Sequence, residues 1–160
     1  MLRLALLATI ASSTLAGQAK GELTVAGSTQ PLGFAYAYLQ PSEERRDRNE
    51  LVLVMSDSMM PPAIERNHAA QDELSKAGKI HFVRLTFTYP DPGPPLVLHY
   101  AIGHKAAKDP PRGTVTYHRF QGKLGPDTVT GKASSDGPQE SIDGVKYEYA
   151  CEVSVKLLPK

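Results

Sequence analysis

A chain of 160 residues with 18 Lys plus Arg against 17 Asp plus Glu carries almost no net charge. The two signs are interspersed, which argues against the one-signed field that nucleic acid or an anionic membrane surface requires. A lone cysteine excludes an intramolecular disulfide, and the length suits one domain able to bury a real core without one.

The chain opens on the pattern of an export signal. Arg3 supplies the positive start, Leu4 to Ile10 the apolar run, and Gly17-Gln18-Ala19 a small-x-small cleavage site. The run falls well short of the roughly 20 apolar residues that a spanning helix needs, and no later segment approaches that length. The expectation is a leader over 1–19 and a single soluble domain over 20–160, not membrane-spanning. Asn49 and Asn67 open no glycosylation sequon, and no cysteine follows the apolar run to take a lipid. This combination favours a bacterial periplasmic or secreted location.

Next come two apolar-rich segments, Glu22 to Ala26 and Leu32 to Leu39, flanking Gly27-Ser28-Thr29-Gln30. They predict a hairpin. Phe34, Tyr36 and Tyr38 share one face of the second segment, with Ala35 and Ala37 opposite. That stripe is either core or a binding surface, and core is the commoner use. Leu51 to Met55 is continuously apolar, as in a strand buried on both faces. One helix is expected after it, capped by Asp57 or Ser58, with Pro61 and Pro62 in its first turn and Gly78 at its end. Its apolar stripe would be Ala63, Asn67, Ala70, Leu74 and Ala77.

Ile80 to Thr88, Leu96 to Ala101, Thr114 to Phe120 and Thr128 to Ser134 predict further strands, separated by loops rich in Pro and Gly. The clearest signal is the last. From Val145 to Leu157 apolar and polar residues alternate strictly, with Tyr147, Tyr149, Cys151, Val153 and Val155 on one face. The fold class is mainly β: an antiparallel β-sandwich, Ig-like or similar, of about eight strands with one short α-helix, a small barrel being the alternative.

Glu22 to Gly27, Phe34 to Tyr38, Leu51 to Met55 leading to Pro61-Pro62, Leu74 to Ile80, Leu124 to Lys132 and Gly144 to Tyr149 follow one another in a familiar order. In these segments the chain resembles a family of exported bacterial β-rich, sandwich-like envelope domains to which no activity is attached. The resemblance implies fold and location, and it brings no catalytic or ligand residue with it.

Several groups of side chains are candidates for chemistry. Met59 and Met60 with His68 offer the soft donors that copper(I) selects, although packing is the commoner use of methionine. His81, His99 and His104 lie on or beside different predicted strands and could converge on zinc, although scattered structural histidines are the commoner finding. Cys151 falls on an apolar strand face, where burial raises a thiol pKa and blunts it as a nucleophile. Ser56 and Ser58 beside Asp57 lack a nucleophile elbow, and the helix lacks a His-Glu-x-x-His. Arg45-Arg46-Asp47-Arg48 is mixed in sign and reads as a solvated loop.

The sequence therefore predicts a non-enzymatic binding or interaction domain of the bacterial envelope, with no cofactor. Its partner would be another envelope or extracellular protein, met through loops such as Pro90 to Pro95 and Lys105 to Arg112 or through a free sheet edge. The alternative is a periplasmic copper- or zinc-binding protein using the Met and His side chains above. A small hydrolase without a recognisable motif ranks third.

Overall fold

The computed structural model describes residues 16–107, 109–114 and 117–160. Most of the expected leader lies outside these residues. Its last three positions, however, belong to the first strand, where Gln18 pairs with Ser154 and Ala19 with Val153.

The strands are β1 (Gly17–Val25), β2 (Ser28–Pro41), β3 (Asn49–Ser56), β4 (Phe82–Tyr89) and β5 (Val97–Gly103), followed by β6 (Arg112–Thr114), β7 (Arg119–Leu124), β8 (Thr128–Ser134), β9 (Gln139–Glu140) and β10 (Lys146–Lys156). They form one antiparallel sheet in the order β6-β5-β4-β3-β2-β1-β10-β8-β7, with β9 paired to the start of β10. The fold is mainly β, as expected. Its sandwich-like layers are two halves of a single sheet curled into a half-barrel.

Topology demands the curl. β6 and β7 are consecutive in the chain, yet they are the opposite edges of the sheet. From Thr114 to Arg119 an extended chain reaches about 18 Å at most. A flat sheet of this many strands would be on the order of 40 Å wide. The edges must therefore approach each other, and they do so through aromatic side chains: Phe87 meets Phe120 edge-on at 5.3 Å, and Tyr100 stacks on His118 at 4.0 Å. This is also why Thr114 to Phe120, expected as one strand, is two: the chain leaves one edge and joins the other.

The halves differ in wetness. β10 alternates buried and exposed without a break, so Tyr147, Tyr149, Cys151, Val153 and Val155 face the inside of the curl. β3 is buried on both faces. Leu51, Leu53 and Met55 join the interior core, whereas Val52 and Val54 join a second core on the outer face with Tyr36, Tyr38, Met60 and Phe82. The tyrosine stripe of β2 is thus core, roofed by helices. In the predicted hairpin, Ala26 and Gly27 both take positive φ, the type I′ geometry that suits the strand twist.

The single expected helix is two, α1 (Pro62–Glu65) and α2 (His68–Lys76), because Asn67 leaves the helical path and caps α2 through its side chain. Asp57 caps neither; it binds His81. Gly78, at φ 69°, ends α2 as expected, with Lys79 N–H donating to the Leu74 carbonyl. The fully buried side of α2 is Gln71, Asp72 and Ser75, and of the expected apolar stripe Leu74 packs, partly buried, against the outer core. A charge on the sheet beneath explains this.

Candidate functional site

Strand register lays the outer face out in cross-strand rows. Tyr36, Val54, Arg84, Ala101 and Arg112 form one row, and Tyr38, Val52, Thr86 and His99 the next. Arg84 is therefore a buried cation in the middle of a strand otherwise given to core residues. Isolated, it would be very costly. Helix α2 supplies its partners: Arg84 Nη1 donates to Gln71 Oε1 at 2.7 Å, and Nη2 to Asp72 Oδ1 at 3.3 Å. The guanidinium also lies over the Phe82 ring. Burial lowers its pKa and Asp72 opposes that, so it stays charged. The polar side of α2 faces the sheet because Arg84 is there.

The other oxygen of Asp72 accepts from Arg112 Nη2 at 2.8 Å. One carboxylate thus holds two guanidiniums. They differ in role: Arg84 is enclosed, whereas the Arg112 side chain is 59% exposed. Beside them, His68 opens α2 and shares a 2.7 Å hydrogen bond between its Nε2 and Tyr38 Oη. Burial, with Arg84 adding, takes the His68 pKa down to about 4, and burial takes Tyr38 up to about 12. Both are neutral near pH 7.

Beside α2 the outer face forms an open cleft of about 370 Å³, within the usual size range of small-molecule sites. Arg84, Arg112 and His68 stand on one side. Glu43, Glu44 and Glu50 line it as well, the first two from the loop between β2 and β3. Glu50 is only 4% exposed and accepts from Ser42 Oγ at 2.7 Å and Gln40 Nε2 at 3.3 Å. His99 Nε2 lies 3.9 Å from Glu44 Oε1 in a solvent-exposed, weak contact. The cleft can offer ion pairs and directed hydrogen bonds at fixed positions.

The histidines proposed from sequence divide. His81 and His104 meet, with ring centroids 4.5 Å apart. Register puts them together: each lies one residue beyond the paired Phe82 and Gly103. Asp57 sits beside them and takes both the amide and Nδ1 of His81, at 2.8 and 2.6 Å. His104 Nδ1 accepts the Ala106 amide at 3.0 Å, and burial lowers its pKa to about 4. The Nε2 atoms of both rings are buried and without a hydrogen-bond partner among the described residues. His99 is not with them, since it lines the cleft.

The three members of the Met/His group have different surroundings. Met59 is 58% exposed, whereas Met60 is buried with its amide donating to Tyr36 Oη at 2.7 Å. His68 is bonded to the neighbouring Tyr38. Among the described residues, no three His, Cys, Asp or Glu side chains come together as a metal site. His118 instead closes the curl, with Nδ1 at 2.7 Å from Tyr149 Oη and Nε2 at 3.0 Å from Tyr147 Oη.

Of the cleft's charged residues, Arg112 closes the Lys105 to Arg112 loop expected to make contacts, whereas sequence reasoning does not single out Arg84 or Glu50 and reads the Asp72-Glu73 pair as solvated although Asp72 is buried. For Arg84 a signal exists, a charge amid the apolar Phe82 to Phe87. Searches against family models, curated proteins and solved structures found no match to this chain.

Proposed function

We propose that the protein is an exported, non-enzymatic binding domain of the bacterial envelope, and that it takes a small polar ligand in the cleft beside α2. The location rests on the leader pattern of Met1 to Ala19. The binding role is carried by Arg112. Asp72 already balances Arg84, which by itself would satisfy the structural need to hold α2 on the sheet. Arg112 adds a second, exposed guanidinium to the same carboxylate, and among the described residues that is its one ion pair, the rest of its planar donor fork being left over at the cleft.

Thermal unfolding in the presence of amino acids, dipeptides, dicarboxylates and simple sugars tests the reading. At least one class should raise the midpoint, and the rise should shrink in Arg112→Ala. A midpoint unmoved by every class, or catalytic consumption of the bound molecule, would overturn it.

A further inference from the structure

The strongest feature left over is the buried carboxylate of Glu50. Both its oxygens are bound by neutral donors, Ser42 Oγ and Gln40 Nε2. Among the described residues no Lys, Arg or His lies within salt-bridge distance of it. A carboxylate nearly removed from water without a counter-ion is costly, and an arriving cation would offset that cost. The two neutral donors hold it in one place, as a preorganised site requires.

The arginines and glutamates of this cleft also do not pair with one another. Arg84 and Arg112 both bind Asp72, outside the group of Glu43, Glu44 and Glu50, and none of those three glutamates is salt-bridged to either arginine. Two walls of opposite sign therefore share one concave space while remaining apart. A ligand of a single sign would satisfy one wall and be repelled by the other.

We propose that the ligand is a zwitterion of short-peptide size, its ammonium group held at Glu50 with Glu43 and Glu44 around it, and its carboxylate at Arg112. This rests on the cleft being a binding site. The spare donors of Arg112 suit a carboxylate, which accepts two parallel N–H bonds from one guanidinium. Neutral His68 beside it adds no competing charge. The cleft volume suits a dipeptide.

Calorimetric titration with L-alanyl-L-alanine tests the assignment, together with its N-acetylated form, its C-terminal amide, putrescine and succinate. The free dipeptide should bind, and each capped form should bind about tenfold more weakly or worse, since each loses one charge-assisted contact. In Glu50→Gln the penalty for N-acetylation should disappear. In Arg112→Met the penalty for amidation should disappear. The capped dipeptides make the comparison on the unaltered protein, so it does not depend on either variant folding. If putrescine or succinate binds as well as the dipeptide, or if capping changes nothing, the zwitterion assignment is wrong while the cleft remains a binding site. If none of the five probes binds, the assignment is overturned here too, and the broader panel of the thermal experiment decides whether the cleft binds anything.

Discussion

His118 stacks on Tyr100 with ring centroids 4.0 Å apart, joining the approach to the last strand of the sheet to its second strand. The same imidazole bonds the phenols of Tyr147 and Tyr149 on β10. One side chain thus ties three parts of the curl together. Replacing it by Ala should cost about 2–4 kcal/mol, from lost packing and two buried hydroxyls left without their partner. His118→Phe keeps the ring and forfeits only the hydrogen bonds, so it should fall between Ala and the natural residue. Urea unfolding of the two variants measures both. Equal midpoints for all three proteins would show that the curl closes without this contact.

Stability should fall as the solution is acidified from about pH 6.5 toward pH 4. His68, His104 and His118 each have a folded pKa of about 4, pulled down mainly by burial, against 6.5 for an unperturbed imidazole. Between those values the unfolded chain binds more protons than the folded one, so each histidine's contribution is complete above the upper value and lost on the way down. Glu65 works in the opposite sense, because burial raises its pKa and protonation relieves the folded state. Three histidines against one glutamate leave a net loss. Urea midpoints across this interval should decline steadily, and less steeply in His118→Phe. A flat profile would contradict the burial of these rings.

The two arginines on Asp72 should separate stability from binding. Arg84→Ala leaves a mostly buried carboxylate short of its enclosed partner and a space beneath α2, and should cost about 3–5 kcal/mol. Arg112→Ala removes an exposed guanidinium and should cost about 1 kcal/mol or less. Denaturant midpoints read the difference. Similar losses at both positions would mean that Arg112 is chiefly structural.

Cys151 should resist thiol reagents until the protein unfolds. It lies on the interior face of β10, and burial pushes its pKa up to about 11, so little thiolate exists at pH 8 and little of it is accessible. Labelling with a chromogenic disulfide should be slow in buffer and rapid in urea. Immediate reaction in buffer would place the sulfur at the surface.

The clean alternation from Val145 to Leu157 made β10 legible, and the continuous apolar run from Leu51 to Met55 correctly announced a strand covered on both sides. The helical region was harder. Of its stripe of Ala63, Asn67, Ala70, Leu74 and Ala77, Leu74 meets the outer core, but α2 also rests on Arg84 and turns Gln71 and Asp72 toward it. Likewise nothing local in His81, His99 and His104 tells that register sets His81 and His104 side by side and His99 apart from them.

What the residues determine unaided is local: which segments alternate, where Gly27 and Gly78 turn the chain, which strands have one wet face, and that the first nineteen positions resemble a leader. These follow from backbone sterics and from water, which act over a few residues at a time. The cleft is different. Asp72, Arg84 and Arg112 come from a helix and two strands, and Glu50 from a third strand. Only the pairing of β3 through β6, and the seating of α2 across them, brings their charges into one place. Electrostatic interaction depends on distance in space, and distance in space is set by the whole fold.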